Sequence, residues 1–316
     1  MKLFTDNRQT RSYLMKKFEA VGISPQTRLG QNFLIDLNLL RLLYESGNIE
    51  SNDVVLEVGT GTGALTALLS DTAAAVITVD VDPVMQELAR QELFGRENIR
   101  FLQMDILKNK NTLRSEVLDA VYNELDKVGL NGERRKFKLV SNLPYCIATP
   151  LISNLLRSSV PPVLMCVTIQ KELAERITAE PATKDWGALS LWTQSQCWTE
   201  IVRIMPASVF WPRPKVESAI VKLILDEKRR NKIPDLDFFN EFSRAIFFHR
   251  RKFLRAGLCG MFKRTIPKQR IDEIMEKMQF NPNTRAETLP LKTMQKLCEL
   301  CRQELLKLPE KERKIF

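Results

Sequence analysis

Four short groups of residues carry the polar chemistry of this chain. Glu57-Val58-Gly59-Thr60-Gly61-Thr62-Gly63 follows the apolar run Val54-Val55-Leu56 directly and opens a stretch of helical pattern. Glycines at such a junction let the chain turn sharply and let a ligand lie close against the backbone. The G-x-G-x-G spacing differs from the G-x-G-x-x-G of pyrophosphate-binding turns, which argues against NAD or FAD. Asp80 ends the next apolar run, about twenty residues on, where a carboxylate commonly accepts both hydroxyls of an adenosine ribose. Asp105 closes Asn98-Ile99-Arg100-Phe101-Leu102-Gln103-Met104-Asp105 and offers an acceptor to an adenine amino group. In register at successive strand ends, the glycines and the two acids specify an adenosine ligand.

The fourth group is Ser141-Asn142-Leu143-Pro144-Tyr145, again at the end of an apolar run. An exocyclic purine amine such as N6 of adenine is a poor nucleophile, because its lone pair is delocalised into the ring. Hydrogen-bond acceptors draw density back onto nitrogen. The Asn142 side-chain oxygen and the backbone carbonyl of Leu143 or Pro144 can accept the two N–H hydrogens and favour a pyramidal nitrogen. Pro144 stiffens the turn, and Tyr145 offers a ring on which an extruded base can stack. Alkylation of that amine by in-line displacement needs alignment rather than a strong base.

These groups require elements that bring them to one rim. Val54-Val55-Leu56-Glu57-Val58, Val76-Ile77-Thr78-Val79 and Leu139-Val140-Ser141 are short β-branched runs separated by helix-like stretches. Such βαβ alternation predicts an α/β fold with a mostly parallel sheet and ligands at the carboxyl ends of its strands. Ala219–Leu225 reads as one further strand, behind the rigid Phe210-Trp211-Pro212-Arg213-Pro214 loop. The charged run Glu227–Lys232 reads as a linker. Beyond Pro234 the recurrence of Phe238, Phe239, Phe242, Ile246 and Phe247 predicts helices, so the boundary falls near residue 230. The division expected is an extension over residues 1–26, an α/β domain over 27–230 and a small all-helical domain over 231–316.

The net charge of +10 is confined to one end. Residues 1–226 hold 26 Lys and Arg against 26 Asp and Glu, whereas residues 227–316 hold 22 against 12. A neutral body with a basic appendix suits docking on nucleic-acid phosphates. Cys298 and Cys301 form the one C-x-x-C pair, on a helical pattern that places both thiols on an apolar face. With no second ligand pair, and His249 as the one histidine, neither a metal centre nor histidine-based nucleophilic catalysis is expected. No run approaches the ~18 apolar residues of a membrane span and no secretion signal opens the chain, so a cytoplasmic protein without membrane contact is expected; a monomer is the separate expectation for its assembly, which the sequence itself does not address.

In order and spacing these motifs resemble the KsgA-type ribosomal RNA adenine N6-dimethyltransferases, over about Thr27 to Leu305. The resemblance adds Gly30-Gln31-Asn32-Phe33-Leu34, Pro212-Arg213-Pro214-Lys215-Val216-Glu217-Ser218, Arg250-Arg251-Lys252 and Arg285-Ala286-Glu287. It implies a Rossmann-like domain that uses S-adenosyl-L-methionine, and dimethylation of two adjacent adenosines in the 3′-terminal hairpin of small-subunit RNA within a pre-ribosomal particle. By the same resemblance Asn32, Leu34, Gly59, Gly61, Asp80, Asp105 and Asn142 hold the cofactor, and Asn142, Leu143, Pro144 and Tyr145 form the reacting centre. Phe210 supplies a second aromatic wall beside Tyr145, while Arg250, Arg251, Lys252 and Arg255 contact RNA.

The chain departs from the family at Asp80, where Glu is usual, and at Cys146, where Asn is usual. The stretch from Asn111 to Lys138 looks long, and residues 1–26 add Arg8, Arg11, Lys16 and Lys17 as cations for RNA. Two other readings share the motifs: a large-subunit RNA adenine N6-methyltransferase of the macrolide-resistance type, and a non-catalytic ribosome-assembly or transcription factor on the same fold.

Overall fold

The β-branched runs become strands buried along their whole length, as they must when helices cover a parallel sheet on both faces. The structure, a computed structural model, describes residues 9–129, 132–248, 250 and 252–310. Its backbone divides into two compact units: the chain up to Ala174 with Glu200–Ile224, and Glu175–Thr199 with the chain from Leu225 onward. The second unit thus draws on a segment that interrupts the first, in addition to the carboxy-terminal helices.

The elements up to Gln170 are α1 (Arg11–Ala20), β1 (Phe33–Leu34), α2 (Leu37–Ser46), β2 (Asp53–Val58), α3 (Ala64–Ser70), β3 (Ala75–Asp80), α4 (Pro83–Glu92), β4 (Ile99–Gln103), β5 (Leu107–Asn109), β6 (Thr112–Leu113), α5 (Ser115–Leu125), β7 (Lys136–Asn142), α6 (Ala148–Arg157) and β8 (Leu164–Gln170). After α7 (Lys171–Thr178) and α8 (Ala188–Gln194) come β9 (Cys197–Met205), β10 (Phe210–Trp211) and β11 (Ser218–Leu225). Seven strands form one sheet in the order β4-β3-β2-β7-β8-β11-β9. The pairs β4–β3, β3–β2, β2–β7 and β7–β8 are parallel, and β11 returns antiparallel to β8.

From β2 the chain winds outward through β3 and β4, then comes back to β7 on the other side of β2. Winding reverses between β2 and β7, which opens a crevice at their carboxyl ends. Val58 and Asn142 are the last residues of those strands. Ser141, fully buried, ties the two ends together: its Oγ donates to the Val58 carbonyl at 2.5 Å and accepts from the Val58 N–H at 3.2 Å. At the other end of the same strands Asp53 and Lys138 form a buried ion pair at 2.6 Å.

The amino-terminal segment is an integral part of this unit. Thr10 caps α1, and Leu14 and Phe18, four residues apart on one helix face, are both buried. They pack with Phe33, Met85 and Leu88. Lys17, expected to contact RNA, is held instead by the Glu92 carboxylate at 2.5 Å. Arg11 and Lys16 are exposed, and Arg8 lies outside the described residues.

In the second unit α9 (Glu227–Arg230), α10 (Leu236–Phe248), α11 (Leu254–Met261), α12 (Lys268–Lys277) and α13 (Leu291–Leu306) follow. Phe239, Phe242 and Ile246 are buried along α10, and Cys298 and Cys301 lie buried along α13 as two positions of one apolar face. The run read as a linker is a capped helical turn. Arg229 donates to the carbonyls of Gln194 and Cys197 and lies 3.4 Å from the Trp198 ring centre, while Arg230 bonds the Gln196 side chain. Those partners are thirty or more residues away in sequence, so local composition could not reveal them.

Candidate active site

The glycine turn begins where β2 ends. Gly59, Gly61 and Gly63 have φ of 91°, 53° and 84°, all in the left-handed region, so this path between β2 and α3 requires glycine. At Gly59 there is a second constraint. A Cβ there would lie 3.3 Å from Pro144 Cδ and 3.5 Å from the Asn142 carbonyl oxygen, so the glycine turn and the Asn142–Tyr145 loop are in contact.

Beneath the turn, Glu57 is buried with Thr66 and Thr78 donating to its Oε2 at 2.6 and 2.7 Å, and Thr60 adjoins Thr78 at 2.7 Å. Burial pushes the Glu57 carboxyl up to about 8, with the two hydroxyls working against that rise. At the end of β3, Asp80 accepts from Gly61 N–H at 3.0 Å and from Asp82 N–H at 2.9 Å, one bond on each oxygen. Burial raises its carboxyl above the ordinary aspartate value, opposed by those N–H groups. Each oxygen retains a lone pair, so the pair of hydroxyls expected of a ribose can still be accepted.

These features surround one cavity of about 250 Å³. Asn32, Gly59, Gly61, Asp80, Asp105, Asn142, Leu143, Pro144 and Tyr145 all line it, as do Phe33, Gln31, Arg28 and Cys146. Asp105 keeps one oxygen on the Leu107 N–H at 2.9 Å. Gln31, not singled out in the sequence, donates to Asp82 at 2.8 Å and fastens the segment before β1 to the turn after β3.

The decisive geometry is at Asn142. Its Nδ2 donates to the Asn32 backbone carbonyl at 3.0 Å. A carbonyl can only accept, so this bond fixes which end of the amide is nitrogen and leaves Oδ1 as the acceptor of a side chain that lines the cavity. The Pro144 carbonyl is taken by Ile147 N–H at 3.2 Å, whereas Leu143 directs its N–H to the Thr168 carbonyl at 3.2 Å. The Pro144 carbonyl keeps one lone pair, and among the described residues no hydrogen bond reaches the Leu143 carbonyl, so of the two backbone acceptors considered from sequence Leu143 is the less engaged. Tyr145 shares a hydrogen bond with Ser218 Oγ at 2.5 Å, which fixes the ring, and burial raises its phenol above the usual tyrosine value.

Two expected positions are corrected. β1 and β10 pair antiparallel, Phe33 opposite Trp211 and Leu34 opposite Phe210. Successive side chains of a strand point to opposite faces. Phe33 and Trp211 accordingly share one aromatic cluster with Phe18, while Leu34 and Phe210 sink into the main core at 1% and 2% exposure. Neither Leu34 nor Phe210 lines the cavity; the residue of this ribbon that does is Phe33. The two-residue ribbon made the alternation invisible in the sequence.

The basic cluster of the second unit is also rearranged. Arg250 bonds the Glu287 carboxylate and the carbonyls of Thr183 and Lys184, so it pins its own loop. Arg255 forms a two-bond pair with Asp272 at 2.5 and 2.7 Å. Lys252 is exposed, and Arg251 lies outside the described residues. Of the four expected RNA contacts, two thus have their charge engaged within the protein.

Comparison with known proteins gives a consistent result. The family model described as ribosomal RNA adenine dimethylase matches residues 23–303. A ribosomal RNA small subunit methyltransferase A from Streptococcus thermophilus is 33% identical over 286 residues, 90% of this chain and 94% of the relative. The protein of that name from Streptococcus mutans is 33% identical over 290 residues, 92% and 96% of the two chains. Among solved structures, a dimethyladenosine transferase from Plasmodium falciparum superposes with a TM-score of 0.68 at 25% identity, covering 86% of this chain and 96% of its own. A 23S rRNA methyltransferase, ErmE, gives 0.58 at 20% identity over 85% and 98%, a likeness of fold.

Proposed function

This chain belongs to the ribosomal RNA adenine dimethylase family, and on that premise we propose that it is an S-adenosylmethionine-dependent enzyme that dimethylates N6 of two adjacent adenosines in the 3′-terminal hairpin of small-subunit ribosomal RNA. The relatives at 33% identity carry small-subunit names, whereas the large-subunit enzyme shares 20% and the fold. The observation that supports the chemistry best is the Asn142–Asn32 bond, because it makes Oδ1 the acceptor of a side chain that lines the same cavity as Gly59 and Asp80.

The wall of that cavity fits an adenosine carrying a charged chain. Asp80 offers two half-used carboxylate oxygens, Asp105 a further acceptor, and Gly59 and Gly61 a backbone free of side chains. When bound, S-adenosylmethionine supplies an electrophilic methyl group on sulfonium sulfur. Asn32, Gly59, Gly61, Asp80 and Asp105 would hold it, and Asn142 borders both cofactor and base.

For the base, Asn142 Oδ1 and the Leu143 carbonyl would accept the two amine hydrogens and keep the nitrogen lone pair out of ring conjugation. Tyr145, fixed through Ser218, would present its face to the flipped purine. The displaced amine proton is lost to solvent, and no protein base is needed for it. The same reading has the enzyme act on a pre-ribosomal particle, in the cytoplasm and as a single chain; among the described residues no helix is long and apolar enough to cross a membrane.

The test is to incubate the full chain with tritiated cofactor and under-methylated small or large ribosomal subunits. Label in small-subunit RNA, recovered as N6,N6-dimethyladenosine, is the expected result. Label confined to large-subunit RNA would move the protein to the macrolide-resistance type, and no label in either would leave the non-catalytic assembly-factor reading.

A further inference from the structure

We propose that the amino-terminal segment Gln9–Ala20 is a positioning strap for the cofactor site, acting through the glycine turn and Phe33 rather than by touching cofactor or RNA. The inference rests on the reading of that cavity as a cofactor site and adds to it a segment that lines none of the cavity.

Three anchors carry the argument, on the glycine turn, on α4 and on Phe33, of which Phe33 lines the cavity itself. Gln9, buried at 6% exposure, accepts from Thr62 Oγ1 at 2.9 Å, and Thr62 sits between the two left-handed glycines Gly61 and Gly63. Tyr13 and Lys17 both bond Glu92 Oε1, at 2.9 and 2.5 Å, at the last residue of α4. The first turn of that helix is capped by Asp82, two residues after Asp80. Phe18 packs edge-on against Phe33 with ring centres 5.4 Å apart, and Trp211 closes the group at 5.4 Å from Phe18.

Phe33 is where this matters. Its ring lines the cavity, and its Cε1 lies 3.2 Å from where a Cβ of Gly61 would stand. A ring in a two-residue strand has little backbone around it to fix its position. Phe18, at 2% exposure, supplies what the ribbon lacks by backing the ring from the side away from the cavity. A site whose walls are set by such supports loses affinity when a support is removed, even though no ligand contact is deleted.

The competing account is that α1 contributes RNA-binding cations. Lys17 is already committed to Glu92, which leaves Arg11 and Lys16 exposed for that purpose. The two accounts predict effects on different substrates: the strap acts on the KM for cofactor, whereas phosphate contacts act on the KM for RNA and its salt dependence.

The experiment titrates S-adenosylhomocysteine into the full chain by calorimetry and measures kcat and both KM values. Phe18→Ala should weaken binding about tenfold and raise the cofactor KM in parallel, with the RNA KM unchanged, and Phe18→Leu should restore most of the loss. Gln9→Ala and Thr62→Val should each cost about threefold, the size of one neutral hydrogen bond, and the double variant no more than either alone. Because neither residue contributes a large side chain to the core, that pair decides the matter should Phe18→Ala fail to fold. Wild-type affinity in folded Phe18→Ala, additive losses in the Gln9 and Thr62 pair, or a change confined to the RNA KM would overturn the strap. A wild-type chain that bound no S-adenosylhomocysteine would instead refute the cofactor site itself, and the strap with it.

Discussion

Replacing Asn142 by Ala removes two interactions with separable consequences. The Oδ1 acceptor is needed only when the amine is pyramidal and attacking, so its loss falls on kcat. Deleting one preorganised group of this kind costs about 10²–10³ in rate, or ~2.7–4 kcal/mol. The Nδ2 bond to the Asn32 carbonyl at 3.0 Å holds the segment before β1 against the end of β7, so its loss loosens one cavity wall. One neutral bond is worth ~0.5–1.5 kcal/mol net, which is at most about tenfold on the cofactor KM. Single-turnover transfer from tritiated cofactor to under-methylated small subunits separates the two effects. Asn142→Ala should lose at least 10² in kcat and up to about tenfold in cofactor KM, with RNA affinity preserved. Asn142→Asp keeps an oxygen toward the amine but sets another against the Asn32 carbonyl, so it should recover kcat in part and cofactor KM not at all. A kcat for Asn142→Ala within about tenfold of wild type would refute the acceptor argument.

Other consequences follow from the same geometry. Arg250→Ala should destabilise the fold by about 1–3 kcal/mol in urea titration, because it leaves the Thr183 and Lys184 carbonyls without this donor and Glu287 with only the longer Arg285 pair, while the salt slope of RNA binding barely changes. Lys252→Gln should do the reverse, lowering that slope by about one with stability unchanged. The Glu57 carboxyl, pushed up to about 8 from the ordinary glutamate value of 4.5, stays protonated in the folded chain over a range where the unfolded chain has released its proton. Its contribution to stability therefore falls as pH rises from about 4.5 toward 8, and Glu57→Gln should flatten that slope in denaturant titrations at several pH values. Cofactor affinity should weaken on acidification at a pH above that expected of an ordinary aspartate, since Asp80 must be ionised to accept and burial raises its carboxyl; Asp80→Asn should bind weakly without that acid limb. Asp53→Ala should cost about 3–5 kcal/mol by leaving Lys138 charged and buried.

The parts of the fold legible in sequence are those where local pattern and final environment agree. Val54–Val58 and Val76–Val79 are rich in β-branched residues and buried on both faces, and each run ends at the cavity. That agreement makes the shared rim of the glycine turn, Asp80 and Asn142 legible from pattern alone, and all three line one cavity. Residues whose role depends on a remote partner were not legible: Arg250 reads as an RNA contact because nothing nearby reveals Glu287, Thr183 and Lys184, and Lys17 because Glu92 is 75 positions away. Leu34 and Phe210 failed for another reason. Two-residue strands carry no periodicity of their own, so which side chain faces the cavity is set by pairing, with Phe33 opposite Trp211, and by packing from Phe18.

The same contrast explains why the reacting loop can be so short. Bonds at four of its residues fix it from outside: Ser141 to Val58, Asn142 to Asn32, Leu143 to Thr168, and Tyr145 to Ser218. Gly59 admits Pro144 to a distance that any side chain at that position would crowd. Two of these neighbours, Val58 and Asn32, also line the cavity, so on the proposed reading a change that shifts the glycine turn would also shift the amine acceptors. Gly59→Ala would be expected to damage cofactor affinity and kcat together, whereas Asp80→Asn, on the far side of the turn from Pro144, would damage affinity first. On the proposed reading, alignment of the two substrates is a property of one shared boundary between β2 and β7, and binding of the methyl donor and of the purine amine would be coupled through it.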